Sequence, residues 1–372
     1  MKKHRIVLAS VLKPLDDTRM LGKMGVTLAA GADFEVFIIG ASTAALPEHA
    51  HIHFVPLPPL GRLSWKRVTA PLSVLKNIVK VKPQIVLVNT HELLIVAILS
   101  KILFGAKIIY DVRENYFRNI LYTAVYPWGV RHLLAALVRI KEMVAGLFFD
   151  HFILAEQSYR EEMKFFKDRY TLLENKSLPS RIRSSPVVSQ GVNLLFSGTI
   201  DYSTGIFQVI ALAKEMHRCN EAVRLHVIGY CALKRVRQKI LAACSDCHFI
   251  RFTGFDRLVS HDRIMEEIRK AHFGIVYYPS SPHTAGLMPT KLYEYMGSRL
   301  PILTWEDQHF AKDVVSNQAG LLVPPSVTTL LAQIKNATFY PRPIDGIYWE
   351  GETLLNLMTM LLAKSGDDLT TR

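Results

Sequence analysis

Short β-branched runs alternate with longer segments of helical periodicity along this 372-residue chain, the pattern of repeated βαβ units and parallel sheets. In the first half the runs are Arg5–Ser10, Phe34–Ile39, His53–Leu57, Ile85–Asn89, Lys107–Tyr110 and His151–Ala155. In the second they are Asn193–Ser197, Arg224–Gly229, His248–Thr253, Phe273–Tyr278, Pro301–Thr304 and Gly320–Val323. Between the two sets, Ser177–Gly191 clusters Ser, Pro and Arg without apolar periodicity and reads as a linker. The pattern predicts one Rossmann-like domain over 1–180, a second over 191–345, and a last helix, about Tyr348–Ala363 within 346–372, free to pack back on the first domain.

Composition changes this picture little: 49% hydrophobic and 21% charged residues exclude a disordered chain and a disulfide scaffold. Charge changes it more. Residues 1–190 carry 26 Lys+Arg against 15 Asp+Glu, an excess of +11, whereas 191–372 carry 19 against 17, an excess of +2. A one-sided basic surface suits an anionic membrane leaflet or a phosphorylated substrate; nucleic acid is set aside because no aromatic-basic recognition motif accompanies the charge. Leu60–Lys82, with Arg62, Trp65, Lys66, Arg67, Lys76 and Lys80, sets basic residues and Trp among leucines at helical spacing. Tyr126–Phe149, with Trp128, Arg131, Arg139 and Lys141, does the same. Such stretches suit an anionic lipid surface, and equally ordinary amphipathic helices on a sheet.

The apolar run Ile6–Ala9 is too brief for a signal-peptide core, and Leu93–Phe104, interrupted by Lys101, falls short of the ~20 residues of a membrane span. The expected location is therefore cytoplasmic, with electrostatic docking on the inner face of the plasma membrane. Cysteines stand at 219, 231, 244 and 247. Cys244-Ser-Asp-Cys247-His248 matches a haem-attachment pattern but falls where a helix should turn into a strand, so reduced thiols are expected there rather than haem or zinc.

No G-x-G-x-x-G and no Walker A motif follows any predicted strand, so the fingerprint for NAD or FAD is missing. A ligand is expected outside the carboxyl ends of the strands, between the domains. The most informative segment is Tyr277–Ile302, a strand end, a loop, and a helix from about Pro289, a residue favoured in a first helical turn. Free N–H groups at such a start form an anion site. Lys291 and Glu294 share one helical face, a cation for phosphate and a carboxylate for ribose hydroxyls, although an exposed Lys/Glu pair has the same spacing. Asn89-Thr90-His91-Glu92 and Asp111-Val112-Arg113-Glu114 follow successive strands and land at the same sheet edge, and Arg19, in the loop Lys13–Arg19, can supply a bidentate phosphate contact.

The string Pro289-Thr-Lys-Leu-Tyr-Glu-Tyr-Met-Gly-Ser-Arg-Leu-Pro301 resembles the "P-x-K-hydrophobic-x-E-Y" helix of retaining GT-B glycosyltransferases, the group often called family 4. Leu195–Ile200, Leu225–Gly229 and Ile250–Gly254 resemble the first three strands of that group's donor domain. Ile109–Glu114 resembles its "Y-D-x-H-E" segment, and Leu173-Glu-Asn175 its interdomain turn.

The resemblance implies an α/β, GT-B fold of two Rossmann-like parallel-sheet domains facing across a crevice, the N-terminal one for acceptor and the C-terminal one for a nucleotide-sugar donor. It implies hexosyl transfer from a nucleotide diphosphate sugar to a hydroxyl of a glycan, lipid-linked or envelope acceptor, with retention. It places Glu294 on the donor ribose. The expected donor set is Arg19, Gly198, Thr199, Gly229, Tyr230, Gly286, Leu287, Met288, Lys291 and Glu294; the expected catalytic set is His91, Asp111, Arg113 and Glu114. No cofactor is expected beyond the donor substrate, and no metal, since D-x-D is absent and helix N-termini with Lys291 and Arg19 can stabilise a departing diphosphate. Three departures stand out: Ile200 and Thr204-Gly205 replace an Arg and a Lys-Gly directed at phosphate, Gly286 replaces the first glutamate of "E-x7-E", and Arg113 replaces a histidine. They keep open a catalytically silent partner subunit, beside a nucleotide-sugar epimerase of the same fold.

Overall fold

The computed structural model describes residues 3–43, 46–60, 64–122, 126–179, 191–282, 284 and 286–370. Arg62 and most of the expected linker, 180–190, lie outside the described residues. The chain forms two compact units, residues 1–175 with 349–372, and residues 176–348. Among the described residues no helix is long and apolar enough to cross a membrane.

The first unit holds seven parallel strands: β1 (His4–Pro14), β2 (Phe34–Ala41), β3 (Ile52–Leu57), β4 (Ile85–Val88), β5 (Lys107–Val112), β6 (His151–Leu154) and β7 (Tyr170–Leu172), ordered β3-β2-β1-β4-β5-β6-β7. The central strands are buried on both faces, which is why they read as unbroken apolar runs rather than alternating ones. Its helices are α1 (Val26–Ala30), α2 (Lys66–Val81), α3 (Leu94–Phe104), α4 (Tyr116–Tyr122), α5 (Trp128–Gly146) and α6 (Ser158–Glu162), with a π-helical stretch at Thr18–Gly25. Val7, Ala9, Val86 and Val88 face a core closed by α2, α3 and α5. Ile6, Leu8, Ile85 and Leu87 face a second core, closed by the π-helical stretch, α1 and the last helix.

The second unit holds β8 (Asn193–Thr199), β9 (Arg224–Tyr230), β10 (Ile250–Phe255), β11 (Phe273–Ile275), β12 (Ile302–Thr304) and β13 (Gly320–Leu322), all parallel and ordered β10-β9-β8-β11-β12-β13. Around them lie α7 (Ile206–Cys219), α8 (Lys234–Ala243), α9 (His261–Lys270), α10 (Thr290–Gly297), α11 (Ala311–Ser316) and α12 (Val327–Asn336). Within this unit, the Ser177 N–H donates to the Ile347 carbonyl at 2.9 Å. The last helix, α13 (Gly351–Thr370), belongs to the first unit, where Leu354, Leu357, Met358 and Leu361 join the second core.

Each predicted strand is present, and the short edge strand β7 is an addition. In both sheets the order reverses once, between β1 and β4 and between β8 and β11. These are the switch points outside which doubly wound sheets bind ligands.

Candidate functional site

In the second unit, Gly198, Gly229 and Gly254 stand side by side at the carboxyl ends of β8, β9 and β10. A Cβ on Gly229 would lie 1.7 Å from the Gly198 carbonyl oxygen, and one on Gly254 2.1 Å from Val259. Both positions have positive φ, +149° and +82°, so the row must be glycine and leaves bare backbone at the sheet edge. Thr199 is exposed just beyond it, paired in register with the half-buried Tyr230.

Across the switch point, β11 runs into a loop that holds Gly286, at φ +72°, with Leu287 and Met288. Helix α10 then starts at Thr290 with Pro289 as its N-cap. The Tyr295 hydroxyl fixes this helix to β8: it lies 2.8 Å from Ser197 Oγ and accepts the Ser197 N–H at 3.1 Å. Lys291 is thereby held against Gly198, its Cε 3.9 Å from where a Cβ on that glycine would be.

The Lys291 ammonium is 3.9 Å from the Phe196 ring centroid and has no hydrogen-bond partner among the described residues. Burial lowers its pKa from 10.5 to about 7, against the opposing pull of Glu294. Glu294 is half-buried, with His261 Nδ1 3.7 Å from its Oε1. Ile200 is 1% exposed, and Thr204 caps Asp201, its Oγ1 accepting the Asp201 N–H at 3.0 Å. Neither position presents a cation, as their sequence identities foretold.

The edge of the first unit differs from expectation. Arg19 does not reach out for phosphate: it is 1% exposed, donates to both oxygens of Asp111 at 2.7–3.1 Å, and donates to the Leu173 carbonyl and Asn175 Oδ1 at 2.9 and 3.1 Å. Arg19 and Asp111 are therefore a buried structural pair, because the π-helical stretch after β1 turns Arg19 inward. Arg113 is likewise engaged, donating to Asp17 at 2.7 and 3.1 Å. Burial alone would raise Asp17, but the Arg113 guanidinium overrides it and holds the carboxyl at about 2. Glu114 accepts from Lys13 at 2.8 Å and from Asn119 at 2.9 Å. Three of the four expected catalytic side chains thus tie the segment Lys13–Arg19 to the end of β5 and the two residues after it.

His91 stands apart. It lies in a short 3₁₀ turn after β4, edge-on to Tyr116 with ring centroids 4.9 Å apart. Burial lowers its pKa from the ordinary 6.5, partly offset by Glu92, which favours the neutral imidazole. Four consecutive residues here carry buried polar atoms without hydrogen-bond partners among the described residues: Asn89 Oδ1, Thr90 Oγ1, His91 Nδ1 and Glu92 Oε2. Such atoms call for water or a ligand. Asn89 and Thr90 were not singled out individually in the sequence, where nothing marks a side chain as unsatisfied. Glu156, two residues beyond β6, has its carboxyl pushed up to about 8 by burial and by Glu174.

Residues 191–337 match the family model described as glycosyl transferases group 1. The fold is GT-B, as in solved glycosyltransferase structures. Sucrose-phosphate synthase from Thermosynechococcus elongatus superposes with a TM-score of 0.68 at 15% identity, over 98% of this chain and 100% of that one. WaaG, a glycosyltransferase involved in lipopolysaccharide biosynthesis, gives 0.63 at 14% identity, over 89% of each chain. Anabaena Alr3699/HepE, solved with UDP and glucose, gives 0.64 at 13% identity, over 97% of this chain and 99% of that one. No curated protein matches the chain by sequence.

A cavity of about 320 Å³ lies at the opposite, amino-terminal ends of β8–β10, lined by Arg224, His226, Arg251, Glu267 and Lys270 among others. Its buried carboxylate, Glu267, is already met by His226, Arg251, Arg263 and Lys270 at 3.0–3.1 Å. At the glycine row, by contrast, Lys291 has no hydrogen-bond partner among the described residues.

Proposed function

We propose that the protein is a glycosyltransferase that moves a hexosyl group from a nucleoside diphosphate sugar to a hydroxyl of a glycan or lipid-linked acceptor, with retention and without a metal. The observation that carries this reading is Lys291, a buried amine with no hydrogen-bond partner among the described residues, set against the glycine row at the switch point of the stretch that matches the glycosyl transferases group 1 model. A diphosphate laid on that bare backbone meets Lys291 and the first-turn N–H groups of α10. When the anomeric C–O bond breaks, charge develops on the leaving diphosphate, and these preorganised groups stabilise it. Glu294, one turn along α10, accepts the two ribose hydroxyls.

On the acceptor side, the atoms of Asn89–Glu92 that lack hydrogen-bond partners among the described residues suit a hydroxyl-rich ligand, and a neutral His91 can accept a hydrogen bond from an acceptor hydroxyl. Retention and the group often called family 4 follow from the Pro289–Pro301 resemblance. An envelope precursor as acceptor rests on the same resemblance, and a place at the inner face of the plasma membrane on the basic excess of the first half. Incubation with UDP-, GDP-, ADP- and TDP-sugars, read as nucleotide release and as the anomer formed by NMR, tests the proposal. UDP-sugars come first, given the UDP in the HepE structure. Release from one donor with that donor's anomeric configuration kept in the product is the expected result.

A second reading, a catalytically silent partner subunit, is favoured by one observation: Ile200 and Thr204 present no cation to a phosphate. Silence across the whole panel, with no nucleotide bound, selects it.

A further inference from the structure

The three helices on the first-core side of the β1–β7 sheet are apolar on their outward sides as well. In α5 the exposed residues Val130, Leu133, Leu137, Ile140 and Val144, running on to Leu147 just past its end, follow a strict three-four spacing. The same helix turns inward mainly small side chains, Ala135, Ala145 and Gly146, with Glu142. Apart from the half-buried Leu134 and Val138, its large apolar residues therefore face away from the unit, the reverse of an ordinary surface helix. Beside it, α3 exposes Ile95, Ile102 and Leu103, and beside that α2 exposes Val68, Leu72 and Val79. Soluble monomers rarely expose apolar patches beyond a few hundred Å². Trp65, just before α2, and Trp128, at the start of α5, are 89% and 73% exposed.

Charge decides what this face fits. Residues 64–82, 94–104 and 128–149 hold nine Lys and Arg and one carboxylate, Glu142; Arg67 and Lys101 are in addition paired with Glu92 and Asp150, just outside these stretches. Glu142 is buried and accepts from the Tyr110 hydroxyl at 2.9 Å, while Lys66, Lys76, Lys80 and Lys82 are exposed. A second copy packed symmetrically on the same face would set these four lysines against their own counterparts, with no exposed carboxylate among the described residues of α2, α3 and α5 to pair them. An anionic bilayer supplies both acyl chains for the stripes and phosphates for the lysines, and exposed Trp favours its interface.

We propose that the outward face of α2, α3 and α5 is a membrane-docking surface that seats its apolar side chains at the acyl boundary of an anionic leaflet. In taking the bilayer to carry the acceptor, the inference rests on the reading above. It alters the electrostatic docking expected from charge alone: screening at ~1 M salt removes the lysine contribution, whereas seated apolar side chains stay.

Sedimentation with phosphatidylglycerol or phosphatidylcholine vesicles, at low salt and after 1 M NaCl is added, tests it on the full chain. The wild type should favour the anionic vesicles by about tenfold, and a substantial part should resist the salt. Leu133→Ser, Leu137→Ser and Ile140→Ser together should abolish the salt-resistant part. Lys66→Gln, Lys76→Gln and Lys80→Gln together should remove the preference for anionic lipid. The paired variant Leu133→Gln, Ile140→Gln serves if the serine variant melts lower than wild type. No vesicle binding by the wild type, full release by salt, or unchanged binding of a folded apolar variant would overturn the proposal. So would a wild-type dimer by light scattering that the serine variant dissolves while vesicles capture neither. Nucleotide binding, followed in the same samples, separates this surface from the proposed activity: docking without nucleotide binding defeats only the transferase reading.

Discussion

Replacing Lys291 with Met should make the ligand-free protein more stable while weakening its hold on nucleotide. The pKa lowered from 10.5 to about 7 corresponds, at about 1.4 kcal/mol per pH unit, to an upper bound of roughly 5 kcal/mol for keeping the charge buried. The substitution also forfeits the ring contact with Phe196, ~1–2 kcal/mol, which leaves a gain on the order of 3 kcal/mol. The folded pKa lies below the unfolded one, so the unfolded chain holds more protons between pH 7 and 10.5, and stability rises with pH across that window. The penalty is full below pH 7 and gone above 10.5; the benefit of Met follows it. Thermal unfolding at pH 6.5 and 9.5 reads this directly. At about 2 °C per kcal/mol for a unit of this size, Lys291→Met should melt roughly 6 °C higher at pH 6.5, with the difference shrinking at pH 9.5. A variant that melts lower at pH 6.5, or a difference independent of pH, would refute the picture of an unpaired buried ammonium.

Two predictions concern the first unit. Arg19→Met should cost ~3–5 kcal/mol in urea unfolding, because it leaves the Asp111 carboxylate buried and alone; a stable variant with weakened nucleotide binding would instead restore a phosphate role for Arg19. Glu156→Gln should stabilise the protein in alkaline solution: the folded state raises the Glu156 pKa from 4.5 to about 8, so stability is lost as pH rises through that window. Unfolding free energies of the variant and the wild type should coincide near pH 4 and diverge by pH 8, and equal values at both would contradict a buried protonated carboxyl.

The strand pattern was legible because both sheets are parallel and buried on two faces, which writes each strand as a compact β-branched run. Strand β7 escaped notice because Tyr170–Leu172 is three half-buried residues at a sheet edge, with too little apolar signal. The start of α10 was legible from Pro289 and from the Lys291/Glu294 spacing, both local features. Partners distant in sequence were not. Arg19 and Asp111 are 92 residues apart, and nothing local to either shows that the sheet brings them together. Tyr295 lay within the quoted helix string, but its bond to Ser197 depends on how α10 packs on β8. The inverted face of α5 was visible only in part: basic residues and Trp at helical spacing are plain in the sequence, whereas the direction in which its leucines point is decided by the small residues that seat the helix.

On the proposed function, the second unit holds a nucleoside diphosphate through Lys291 and Glu294. Isothermal titration calorimetry of the full chain with UDP, GDP, ADP and TDP, repeated on Glu294→Ala, tests it most directly. One of these nucleotides should bind with single-site stoichiometry, and Glu294→Ala should weaken it by ~1.5–3 kcal/mol, the scale of a charged hydrogen bond, in a variant that still folds. Binding of none of the four, or equal affinity in a folded Glu294→Ala variant, would contradict it.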